Sequence, residues 1–197
     1  MGLPTAPHPD CACAAPAPAR RRRAALASLL LGAALGSAHA QGLDATLAVG
    51  AAGEADVKKL SLILGTTRAE PLWQGETWRL KLRHEVELAA WRVPEARNLI
   101  ELGYSPVLRL ERPLSGGNAT FFFEGSIGVR LLSHTRVSPQ HPLSTAFQFA
   151  DMLGLGLHWG REARSTLGLR YQHMSNLGIK RPNPGMNFVQ LYYTHRF

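Results

Sequence analysis

Cysteine occurs at two positions only, Cys11 and Cys13, both within the first forty residues. Past that point the chain has no thiol, which excludes a cysteine nucleophile and a thiolate-held metal from residues 41–197. Long apolar runs are missing too. No segment after residue 40 reaches 18 continuous apolar residues. A spanning helix is therefore ruled out, and a place in a membrane would require a closed β-barrel. Helical periodicity never lasts three turns. Basic runs are absent after the first forty residues, which makes nucleic acid a poor partner for this chain.

The first forty residues read as an export signal. Arg20 to Arg23 supply a positive segment, Ala24 to Gly36 an apolar one, and Ala38-His39-Ala40 a small-x-small cleavage pattern. The prefix before the arginines is rich in proline (Pro4, Pro7, Pro9, Pro16, Pro18), so either translation starts downstream of Met1 or the prefix is tolerated. Four arginines are weak evidence for a twin-arginine route. Removing residues 1–40 takes away four arginines and Asp10, and the formal net charge falls from +8 to +5. The remaining stretch, 41–197, suits one domain. The modest basic excess is compatible with an anionic partner.

From residue 43 the sequence alternates apolar and polar residues between turn formers. Eight runs stand out, at about 43–50, 57–65, 76–92, 98–112, 119–133, 145–159, 164–176 and 186–197. In the sixth, one parity holds Phe147, Phe149, Asp151, Leu153, Leu155, Leu157 and Trp159. The other holds Ala146, Gln148, Ala150, Met152, Gly154, Gly156 and His158, small and polar as a barrel interior requires. Eight is the smallest strand number of bacterial outer-membrane barrels. The fold expected is all-β, an eight-stranded antiparallel transmembrane β-barrel. A soluble sandwich or lipocalin-like barrel is the alternative, with the apolar parity turned inward. Trp78, Trp91, Trp159, Tyr193 and Phe197 fall at strand ends and fit interfacial girdles. With both chain termini on the periplasmic side, the connections near 51–56, 93–97, 134–144 and 177–185 are expected to lie outside the cell.

The seventh run carries the chemistry. His173 and Ser175 are two residues apart and so share one face of a strand. Leu167, Leu169 and Tyr171 precede them on that face, while Gly168, Arg170 and Gln172 occupy the other. A serine hydroxyl becomes an effective nucleophile when a neighbouring imidazole takes its proton. On a barrel's apolar outer face such a pair points at lipid, which suggests a lipid substrate. By itself, a histidine or serine at a strand's outer end is more often merely interfacial.

His173-x-Ser175-Asn176-x-Gly178, then Pro182-Asn183-x-Gly185 and a short final strand, resembles the lipid A 3-O-deacylase (PagL) family of outer-membrane esterases. The stretches from Phe122 to Val137 and from Phe149 to Gly154 resemble the same family in the same order. The resemblance implies an eight-stranded barrel with its active site on the lipid-facing wall. It implies Ser175 as nucleophile, His173 as base, and oxyanion stabilisation around Asn176 and Gly178. It also implies an acid fourteen residues after the histidine, where this chain has Asn187. An asparagine accepts the ring N–H but brings no charge.

Register arithmetic offers a second carboxyl group. A hairpin turning near Arg161 to Ala163 places Asp151 opposite His173, and a turn near Lys180 places Asn187 opposite it on the other side. Asp151 and Asn187 are thus expected to flank the imidazole, with Asp151 supplying the charge. Lys180 and Arg181, in the loop that follows, are candidate contacts for lipid A phosphates. Asn183 is expected to close that loop onto backbone groups. Glu124 is expected to be an interior contact of Arg130 or Arg170. His84, His134 and His158 do not cluster, so no metal is expected, and no cofactor either. The expected activity is hydrolysis of the 3-linked hydroxyacyl ester of lipid A in the bacterial outer membrane, with lipopolysaccharide as substrate and a homodimer left open. A structural or adhesive barrel whose site has decayed is the competing function, and another lipid enzyme, a phospholipase or acyltransferase, is a third.

Overall fold

Alternation with period two, interrupted by proline and glycine, makes a continuous antiparallel meander. The computed structural model describes residues 1–2, 42–138 and 141–197; the expected signal segment lies almost wholly outside them. Strands run Leu43–Ala52 (β1), Val57–Thr67 (β2), Trp73–Gln74 (β3), Arg79–Arg92 (β4), Leu99–Pro113 (β5), Ala119–Leu132 (β6), Phe147–Trp159 (β7), Ser165–Ser175 (β8) and Met186–Arg196 (β9). Each long strand pairs with the next long strand in sequence, β2 with β4 included, and β1 pairs with β9 to close the cylinder. The two-residue β3 lies against β4 alone, so eight long strands form an antiparallel barrel.

Which face is buried separates the two barrel types. Aliphatic side chains of the apolar parity project outward and are open, among them Leu153 at 71% and Ile127 at 70% exposed. A water-soluble barrel would hide that row. The outward face is an apolar belt, the arrangement a bilayer demands. Trp159, Tyr193 and Phe197 stand on this outer wall near the chain's end. Trp91 does not join them. It is buried inside the barrel, where its indole N–H donates to Glu101 at 2.6 Å, because it has the inward parity of β4.

The lumen is filled in two ways. Its middle holds charges in alternating sign: Lys59 meets Glu87 and Glu101, Arg130 meets the same two, and Arg83 meets Asp44 and Glu85. Arg170 bridges Glu85 (2.7 Å) and Glu124 (2.6 Å), and Arg109 also reaches Glu124. Glu124 is thus an interior contact of Arg170, as its parity indicates, while Arg130 goes to other carboxylates. Gly168 leaves the space that the Tyr192 ring fills; a Cβ there would lie 2.4 Å from that ring. Towards the end where β8 finishes and β9 begins, the filling turns apolar. Ala150, Met174, Met186 and Phe188 pack with Trp91, Leu99, Val137 and Leu143.

A candidate active site on the outer wall

That apolar plug bears on the site directly. Ala150, Met174 and Met186 each adjoin an outward-facing site residue: Asp151, His173 with Ser175, and Asn187. Packing from within therefore holds three neighbouring strands rigidly where their outer faces carry polar groups.

The expected registers are the observed ones. His173 on β8 lies opposite Asp151 on β7 and opposite Asn187 on β9. Its imidazole turns to Asn187: Nδ1–H donates to Asn187 Oδ1 at 2.7 Å. The hydroxyl of Tyr171, on the same face of β8, donates to the same oxygen at 2.8 Å. Asn187 Nδ2 in turn donates to Glu54 in the β1–β2 connection. Asp151 is exposed and makes no hydrogen bond to His173 among the described residues. The carboxylate connected to the ring by hydrogen bonds is thus Glu54, reached through Asn187, rather than Asp151.

Ser175 ends β8 on the outward face and is nine-tenths buried. No hydrogen bond joins its hydroxyl to His173 among the described residues. Two residues along a strand separate the Cα atoms by about 6.6 Å, a span an imidazole covers. With Nδ1 committed to Asn187, Nε2 is the ring nitrogen left for the serine.

The following loop, 176–185, is shaped by its own side chains. Asn176 is fully buried: its Oδ1 accepts the Gly178 N–H (2.9 Å), its Nδ2 donates to the Lys180 carbonyl (2.8 Å), and its backbone N–H donates to Asn183 Oδ1 (3.0 Å). These donors, expected from the family to face an oxyanion, are spent inside the loop. Asn176 and Gly178 thus fix the turn that follows Ser175, with Leu177 and Gly178 both at positive φ. Ser144 donates to the Pro182 carbonyl, tying this loop to the β6–β7 connection. Lys180 and Arg181 are exposed, next to the equally exposed Leu177 and Ile179. Gly185, at φ +74°, abuts the imidazole: a Cβ there would lie 2.8 Å from His173 Cε1.

Beside His173 the wall is dented. A groove lined by Leu82, Pro106, Leu108, Gly125, Ile127, Asp151 and Leu153 runs across five strands to Tyr171 and His173. Its floor is low for local reasons. Gly125 contributes no side chain, and Pro106 lacks the N–H that strand pairing needs. The β5–β6 register accordingly skips Ser105 and Pro106, and Ser126 Oγ donates to the Pro106 carbonyl instead.

His173 and Ser175 share the outer wall of a closed eight-stranded barrel, and residues 60–196 match the family described as lipid A 3-O-deacylase (PagL). The chain belongs to that family. A Pseudomonas aeruginosa lipid A deacylase PagL is 33% identical over 165 residues, 82% of this chain and 92% of that one. One from Bordetella bronchiseptica is 36% identical over 130 residues, 64% of this chain and 70% of that one. The crystal structure of the outer membrane enzyme PagL superposes with a TM-score of 0.70 at 31% identity, covering 78% of this chain and 99% of that one. Membership makes the exposed apolar belt an outer-membrane surface.

The sequence did not single out Glu54 or Tyr171 as members of the site. Tyr171 carried a signal, since it shares the outward parity of His173. Glu54 had only its place beside Gly53 in a turn.

Proposed function

We propose that the protein hydrolyses the ester-linked hydroxyacyl chain at the 3-position of lipid A, within the outer leaflet of the outer membrane. Barrels of this class keep short turns in the periplasm and send longer loops outward. The 133–146 and 176–185 connections then face the lipopolysaccharide, and Ser175 stands at its level. The acyl chain lies in the groove beside His173, apolar against apolar. Lys180 and Arg181 meet the phosphates through charge-assisted hydrogen bonds.

Ser175 Oγ attacks the ester carbonyl while His173 Nε2 takes its proton. The imidazolium returns that proton to the departing glucosamine oxygen, leaving an acyl-serine. Water, deprotonated by the same nitrogen, then releases the hydroxy fatty acid. Asp151 faces His173 across the β7–β8 pairing and adds negative charge beside the imidazolium through a poorly screened, lipid-facing wall. Every side chain in this scheme comes from a single barrel.

The observation that carries the reading is the position of His173: outward-facing, hydrogen-bonded at Nδ1, and on one face with Ser175. Mass spectrometry of lipid A from cells making the protein tests it. Wild type is expected to remove one 3-linked hydroxyacyl chain, and Ser175→Ala to lose at least about a thousandfold in rate. Lipid A unchanged by wild type would favour a structural barrel, and an active Ser175→Ala would refute the serine mechanism.

A further inference from the structure

We propose that Glu54 is a positioning residue of this active site, which through Asn187 fixes the tautomer of His173 and supplies the negative charge that position 187 lacks. The proposal rests on the serine–histidine reading above.

One line of hydrogen bonds joins Glu54 to the His173 ring through Asn187. An ionised carboxylate only accepts, so the group that Asn187 turns to Glu54 must be its NH2. That contact orients the amide: with Nδ2 on Glu54, Oδ1 has to face β8. An amide oxygen only accepts in its turn, so the His173 nitrogen against it, Nδ1, must carry the proton. Nε2 is then left with its lone pair, the state a general base requires. Without Glu54 the amide loses its acceptor-only partner, and the reversed amide would hold the wrong tautomer.

Charge follows the same route. When the ring takes the serine proton it becomes cationic, and a neutral amide alone gives it little. A carboxylate one amide away polarises that amide and stabilises the cation, while Asp151 on the opposite flank makes no hydrogen bond to it. The carboxylate is thus displaced from β9 to the β1–β2 connection. The contact spans 133 residues of sequence. It exists because β1 pairs with β9: the pair Ala51–Val189, extended by two residues, brings Gly53 level with Asn187 and Glu54 beside it.

The test uses the full-length protein refolded in detergent, with purified lipopolysaccharide as substrate and folding checked by heat-modifiable migration. Glu54→Gln keeps the size and removes the charge; Glu54→Ala removes the acceptor as well. Both are expected to lower kcat about ten- to a hundredfold, with KM within about twofold. Asn187→Glu places a carboxylate directly on Nδ1, so in that background Glu54→Gln is expected to cost nothing further and to remove a repulsion. A Glu54→Gln enzyme with wild-type kcat would overturn the proposal. So would an equal loss from Glu54→Gln in the Asn187→Glu background, or an effect confined to KM, since either marks Glu54 as a loop or substrate contact. Ser175→Ala, assayed alongside, keeps the two readings apart: if it stays active, the serine mechanism falls irrespective of Glu54.

Discussion

At the scale of single residues, the site depends on how closely groups without side chains let others approach. Gly185 sits against the edge of the His173 ring with a backbone φ of +74°. An alanine there is doubly strained, by its left-handed backbone and by a methyl 2.8 Å from Cε1. Gly185→Ala is expected to push the imidazole off Asn187 and lower kcat about a hundredfold, since small misplacements in a catalytic pair cost that much. Steady-state kinetics on protein that still shows folded-barrel migration would check it. The pair His173 and Ser175 was legible in the sequence because strand parity leaves no choice of face. Glu54 was not legible, because a glutamate in a turn has no periodicity to mark it and its partner is far away in sequence.

Among elements, the β8–β9 connection is built largely on its own hydrogen bonds and aims the end of β8. Its centre is Asn176, whose amide and backbone are satisfied by Gly178, Lys180 and Asn183. Asn183→Ala leaves the buried Asn176 N–H without its acceptor, a loss of about 1–3 kcal/mol. The expected result is faster tryptic cleavage after Lys180 and reduced deacylation, with Asn183→Asp retaining wild-type resistance because it keeps the acceptor oxygen. Hairpin registers were accessible from sequence: the turn formers near 161–163 and near 180 centre the sums of paired residues, so Asp151 and Asn187 fall opposite His173 as expected. The pairing of β1 with β9 has no turn to set it. That gap explains why the sequence pointed to Asp151 as the source of charge while the hydrogen bonds lead to Glu54.

For the whole molecule, stability comes from an inside-out distribution, charges within and apolar side chains without. Alternation shows that the inward parity is polar. It does not say which arginine meets which glutamate, because those choices depend on barrel closure and on glycine gaps such as Gly168. Arg170 is one such junction, holding Glu85 and Glu124 and lying over the Tyr192 ring at 4.2 Å. Arg170→Leu leaves two buried carboxylates short of a cation and is expected to destabilise the barrel by about 3–5 kcal/mol. Urea unfolding of protein reconstituted in lipid would show the loss as an earlier transition.

The dent beside His173 opens sideways, into the sheet of acyl chains. On the proposed mechanism, a substrate reaches Ser175 by gliding within its own leaflet rather than by crossing from bulk fluid. Catalysis on those terms is two-dimensional: its speed follows the mole fraction of acylated lipid around the cylinder, and diluting the leaflet with inert amphiphile slows it even when the total amount in the tube is held constant.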